Sequence, residues 1–236
     1  MPNALDLSLM TLLVAAGAWD HFVAWPRFAR AVAAGERGVR TRFYRAVAIG
    51  EWLFAAAVIA TWVHAHRPFA ALGLTMPTGV RLAAGVLVCA LGAGLVALQT
   101  RQIAALPPER LVRAGARLSG PIAALLPHSP GERNAFMPLS LTAGVCEELV
   151  ARGYVLWFIG AWTGPWVALV LSSALFGLGH AYQGRSGVVK TGLVGLVMGL
   201  VYLGTGSLLP GMVLHTLIDV GSGIAGYALL RERPVS

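Results

Sequence analysis

The sequence predicts an all-α fold: a polytopic membrane bundle of about seven transmembrane helices (six to eight), with a polar cavity between the later helices. Three observations predict it. Hydrophobic residues fill 57% of the 236 positions and charged residues only 12%, with a mean hydropathy of +0.71; a soluble domain carries about 25% charged residues. Apolar runs repeatedly reach the ~20 residues that span a bilayer. Finally, one such run holds Glu147, Glu148 and Arg152 near its middle. An ionised side chain at the bilayer centre costs about 2.5–3.5 kcal/mol on insertion scales, so the three together would cost on the order of 8–10 kcal/mol facing lipid. They are expected to face a protein interior or a wet cavity instead.

The runs can be justified in order. The first spans Leu5 to Trp25, with Asp20 and His21 near its far end. Met1 to Leu13 contains no Lys or Arg and Asp6 is its one charge, so a retained helix is expected rather than a cleaved signal. Arg27, Arg30, Arg37, Arg40, Arg42 and Arg45 follow. The second run covers Tyr44 to Val63, with Glu51 close to its start, and a loop with His64, His66 and Arg67 leads to the third, Val80 to Gln99. Asp20 and Glu51 are expected to be cheap there, because side chains near span ends reach the interface. In the connection from Arg101 to Arg133, Arg110, Arg113 and Arg117 recur at helical spacing opposite Leu111, Ala114 and Leu118. That pattern predicts a short basic helix on the membrane surface.

The fourth run, Asn134 to Gly160, holds the charged motif. The fifth is Pro165 to Leu178, ending near His180. The sixth, Val188 to Leu203, contains Gly192, Gly195 and Gly199, small residues that let helix backbones approach. The seventh is Leu208 to Leu230, with His215 and Asp219. Nearly all Arg and Lys lie in the segments 27–45, 101–133, 181–190 and 231–236, alternating with the sparse segments 64–79, 161–165 and 204–207. Seven spans with the N-terminus outside and the C-terminus in the cytoplasm satisfy every loop. The net charge of +8 is thereby explained by orientation and by attraction to anionic membrane lipids, and no nucleic-acid partner is expected. Residues 1–236 read as one integral membrane domain: N-terminal helices plus a basic cytoplasmic interfacial segment over 1–133, then a core over 134–230. Cys89 and Cys146 both lie in apolar runs and suggest neither a disulfide nor a thiolate metal cluster.

Intramembrane ionisable groups are functional candidates. Glu148 and Arg152 are four apart and can pair on one helix face, leaving Glu147, about 100° round, without a local partner. Phe176-Gly-Leu-Gly-His180 ends the fifth run. In His215-Thr-Leu-Ile-Asp219 the His and Asp share a face and can hydrogen-bond within the helix. At 1.5 Å per residue, Glu147 and His215 fall at similar depth, with His180 somewhat nearer the cytoplasm. One carboxylate and two imidazoles at one level suit either a general base or a metal site. There is no His-Glu-x-x-His and no Gly-x-Ser-x-Gly, and Asp6, Asp20 and Asp219 do not suggest an aspartyl dyad.

These three motifs, in this order, resemble the CPBP intramembrane proteases, which include the type II CAAX prenyl endopeptidases and the bacterial Abi or bacteriocin-immunity proteins. The resemblance covers about 134–230 and makes that stretch a CPBP-like catalytic core. It implies a helix bundle around a conical cavity open to the cytoplasm, in a bacterial inner (plasma) membrane. It also implies an endopeptidase acting on a peptide or prenylated peptide. Glu147 is then the general base and His180 orients the water. His215 and Asp219 stabilise the oxyanion, with Glu148, Arg152 and Phe176 in support. No cofactor is expected; the alternative is Zn²⁺ on Glu147, His180 and His215. Active prenyl endopeptidases usually carry Asn at the place of Asp219, where an ionised Asp would repel an oxyanion. Two further readings follow: a non-catalytic immunity protein or membrane scaffold with a degenerate site, and a proton- or ion-coupled transporter, which the absence of an internal repeat disfavours.

Overall fold

The computed structural model describes residues 1–118 and 120–231, and among these every regular element is a helix. The tail charges Glu232 and Arg233 lie outside the described residues. In chain order the helices are α1 (Ala4–Ala33), α2 (Val39–His64), α3 (Gly79–Ala104), α4 (Pro108–Arg117), α5 (Gly120–Leu125), α6 (130–163), α7 (Pro165–Gly179), α8 (Gly184–Thr205) and α9 (Leu209–Leu230). All seven apolar runs are therefore helical, and the basic helix expected around Arg110–Arg117 is α4. Several helices overrun the apolar stretch that announced them: α2 starts at Val39 and α1 continues to Ala33, each through an arginine-bearing turn.

α1, α2, α3, α8 (with its preceding turn) and α9 are long and apolar enough to cross a membrane by length and composition. The other two expected spans differ for physical reasons. α7 has 15 residues, about 22 Å of helix. α6 carries Glu132, Arg133, Glu147, Glu148 and Arg152, and it buries its central charges inside the bundle: Glu148 and Arg152 are 1% and 2% exposed. The chain is an integral membrane protein with a charged helix at its heart.

α6 packs on α2 and α9, α3 backs α9, and α7 lies against α8 and the C-terminal part of α6. The glycines make these contacts close. A Cβ on Gly177 of α7 would stand 3.1 Å from the backbone nitrogen of Gly192 on α8, and one on Gly199 would strike Leu169. Two helices contain a wider, π-helical stretch: Asp20–Ala24 within α1 and Leu149–Val155 within α6. Each holds intramembrane ionisable groups, as such bulges often do.

A second polar cluster fastens the end of the bundle where Asp6 and Arg67 lie. Asp6, fully buried, accepts a bidentate pair from Arg67 at 2.8 and 2.6 Å. Tyr154 of α6 donates its hydroxyl to the Asp6 carbonyl at 2.9 Å. The Arg67 guanidinium also lies 4.4 Å from the Trp157 ring centroid and 5.2 Å from that of Trp62. Hydrogen bonding by Asp6 pushes Arg67 up from its ordinary value, so the clamp stays charged. Removing one partner of a buried, hydrogen-bonded pair costs about 3–5 kcal/mol. Arg67→Ala is expected to lower the unfolding midpoint in detergent by a matching amount, and Tyr154→Phe by about 1 kcal/mol, read by thermal denaturation of the purified protein.

Candidate active site

The site is built where α6, α7 and α9 meet. Glu148 Oε1 lies 2.9 Å from Arg152 Nη1 and 2.9 Å from Nδ1 of His215. Helical spacing provides the first contact and α6–α9 packing the second. A carboxylate only accepts, so the His215 Nδ1 proton is donated to Glu148, and Nε2 is turned into the site. Close packing shapes the surroundings. A Cβ on Gly211 of α9 would sit 3.2 Å from Glu148 Oε2, and one on Gly195 of α8 would sit 3.1 Å from Arg152 Nη2 and 3.2 Å from the Phe176 ring. Phe176 lies over the Arg152 guanidinium, 4.1 Å from its centroid.

Glu147 points elsewhere, as the 100° step requires. Its Oε2 lies 3.9 Å from Nε2 of His180 and 3.9 Å from Nε2 of His215. Both gaps exceed a hydrogen bond, and that buried oxygen has no partner among the described residues. His180 Nδ1 stands 2.9 Å from the Phe176 carbonyl. The carbonyl can only accept, so this nitrogen donates and Nε2 is left facing Glu147. Asp219 Oδ2 is 3.8 Å from His215 Nε2, too far for the helix-internal hydrogen bond its spacing allowed. Glu148, not Asp219, orients His215. The structure thus gathers Glu147, Glu148, Arg152, Phe176, His180, His215 and Asp219 in one cluster.

Two cavities meet at Glu147 and His180. One, of about 470 Å³, runs between α1 and α7 with walls that include Met10, Val14, Phe22, Leu175 and Leu178. The other, of about 740 Å³, is more polar, with Gln99, Gln183 and Asp219 in its wall. It extends to Leu118 and Ile122, at the end of the bundle bearing the basic connection. Residues 132–221 match the family model described as Rce1-like, type II CAAX prenyl endopeptidase. This Rce1-like segment carries all three motifs and agrees with the resemblance drawn from them. No curated protein and no solved structure matches the chain.

Sequence reasoning missed Glu51 and Asp20. Both were expected at span ends. Glu51 instead lies mid-way along α2 and lines both cavities, and Asp20 lies mid-way along α1 and lines the polar one. The helices begin earlier and end later than their apolar runs, which moves these residues inward. As for metal, one carboxylate and two imidazoles are a donor set zinc accepts. Among the described residues, however, no three His, Cys, Asp or Glu side chains are grouped so as to hold an ion.

The tight seat of Arg152 and Phe176 against Gly195 makes a local test. Gly195→Ala forces both to shift in a packed interior and is expected to cost about 1–3 kcal/mol, read as a lowered unfolding midpoint, whereas Gly94→Ala, with open space around it, leaves the midpoint in place.

Proposed function

We propose that this protein is an intramembrane endopeptidase that hydrolyses a peptide bond near the cytoplasmic membrane surface. One observation carries the reading: a carboxylate oxygen, Glu147 Oε2, without a hydrogen-bond partner among the described residues, faces the Nε2 atoms of two oriented histidines at the junction of two cavities. Glu147 takes a proton from a water that His180 Nε2 helps to orient, and the hydroxide attacks the scissile carbonyl carbon. The oxyanion accepts a hydrogen bond from a protonated His215 Nε2, whose other nitrogen is held by Glu148. Collapse of the intermediate breaks the C–N bond, and Glu147 returns the proton to the leaving amine. Asp219 supports the His215 cation from the side opposite Glu148 and need not touch the oxyanion.

The cavities suggest the substrate class. The apolar one suits an aliphatic chain such as a prenyl group, and the polar one an extended peptide. The charge pattern supports an orientation with the N-terminus outside and the C-terminus in the cytoplasm, in which the polar cavity opens to the cytoplasm; the family resemblance adds a bacterial inner membrane to the proposal.

Two other readings have an observation in their favour. Asp219 in place of the usual Asn favours a non-catalytic family member. The Nδ1 ties of His180 and His215 would equally orient metal ligands, which favours a zinc enzyme. The test is cleavage of a fluorogenic prenylated-peptide library by the protein in detergent. Glu147→Gln and His180→Ala are each expected to lose about 10²–10⁴-fold in kcat/KM, with activity retained in chelator. Loss in chelator reversed by Zn²⁺ would establish the metal reading. A wild type inactive on every peptide, with Asp219→Asn equally inactive, would favour the binding role.

A further inference from the structure

The two histidines of the site are held differently. His215 lies within α9, where the Glu148 carboxylate fixes its Nδ1 at 2.9 Å. His180 lies just past the end of α7, at φ −101° and ψ 22°, where the helix has stopped. Its Nδ1 donates to the Phe176 carbonyl one turn back, and its side chain is 19% exposed against 10% for His215. One such bond leaves the ring free to tilt about it, because the outer torsion of a histidine is broad. The aim of Nε2 therefore depends on what packs against the ring.

Two aromatic rings do that packing. Phe176 stands 4.8 Å from His180 between ring centroids, and Tyr182 stands 5.8 Å away. Phe176 is already seated over Arg152. Tyr182 belongs to the short 3₁₀ turn Ala181–Gln183 between α7 and α8, whose own hydrogen bonding is poor in geometry. Packed on Tyr182 is Trp25 of α1, with centroids 4.5 Å apart and planes 31° from parallel. Trp25 is buried and is backed by Phe28 at 5.3 Å and Phe43 at 6.3 Å. Rings thus run from Phe43 through Trp25 and Tyr182 to His180, each step within the range of about 4.5–7 Å at which aromatic side chains attract. Trp25 lies outside the Rce1-like segment, yet α1 meets that segment at both ends: Asp6 accepts from Tyr154, and Trp25 packs on Tyr182.

We propose that Trp25 is a positioning residue of this site: through Tyr182 it holds the turn after α7, so that the His180 ring keeps Nε2 toward Glu147. The consequence for turnover rests on the endopeptidase reading; the hold on His180 does not.

The experiment therefore has two arms. Nuclear magnetic resonance of the full-length protein in lipid nanodiscs, isotopically labelled at the histidine ring nitrogens, reports each imidazole; the His180 and His215 signals are assigned by their loss in His180→Ala and His215→Ala. Trp25→Leu and Tyr182→Leu are each expected to shift or broaden the His180 signals and to leave those of His215 in place. Tyr182→Phe, which keeps the ring, is expected to keep the His180 signals. Phe28→Leu removes a ring whose contacts are with Trp25 and Phe43; it is expected to lower the unfolding midpoint as Trp25→Leu does, with the His180 signals unmoved. Signals of His180 that stay in place in both Trp25→Leu and Tyr182→Leu, or that move as much in Phe28→Leu, would overturn the proposal whether or not the protein cleaves peptide. In the kinetic arm, Trp25→Leu is expected to lose about tenfold in kcat with KM little changed. The double variant with Tyr182→Leu is expected to lose no more than the larger single loss, because the two rings act through one contact. Additive losses, or a wild-type kcat in both single variants, would also overturn it. Peptide cleavage that survives Glu147→Gln would overturn the endopeptidase reading and leave the resonance result to stand by itself.

Discussion

The three-way contact of Glu148 with Arg152 and His215 is the constraint on which the rest of the site depends. A carboxylate 1% exposed in the apolar middle of a bundle persists only if its oxygens are met by donors. Its helical neighbour four residues on provides one, and α9 provides the other at 2.9 Å. Satisfying Glu148 therefore fixes how α6 and α9 face each other. It also explains why Gly211 and Gly195 flank the network, since a side chain at either position would press on Glu148 or Arg152. Glu147, one residue back, is turned by the same helix toward the cavity.

Much of this was legible in the sequence, because membrane helices announce themselves by length and by the expense of burying charge. All seven runs proved helical, the Glu148–Arg152 pair followed from spacing, and three motifs on three runs converged in space. What stayed hidden depended on contacts distant in sequence or on helix ends. The Asp6–Arg67–Tyr154 clamp joins residues as many as 148 positions apart, which no periodicity reveals. His215 was matched to Asp219 by spacing, yet its short contact is with Glu148, 67 residues away. Glu51 was placed at a span end because its apolar run begins at Tyr44, whereas the helix begins at Val39.

The Rce1-like match ends at residue 221 and begins at 132, so α1 to α5 lie outside it. These helices are nonetheless part of the site's surroundings. α1 forms one wall of the apolar cavity, and α2 places Glu51 in the walls of both cavities along with Glu147. The motifs gather the acidic and imidazole side chains into one cluster, while the N-terminal half shapes the space around it.

The π-helical stretch at Leu149–Val155 bears on this division. A helix with one residue inserted turns everything beyond it by about 100° relative to what came before. α6 has two duties on two sides: Glu148 must face α9, while Tyr154 and Trp157 must face Asp6 and Arg67. The wide turn starts directly after Glu148 and runs through Tyr154, and it acts as a phase shifter between Glu148 and Trp157 within a single rod. The acidic pair at one level and the anchorage at the other are thereby decoupled in angle, so the same helix can be held by the N-terminal segment without rotating that pair away from the histidines.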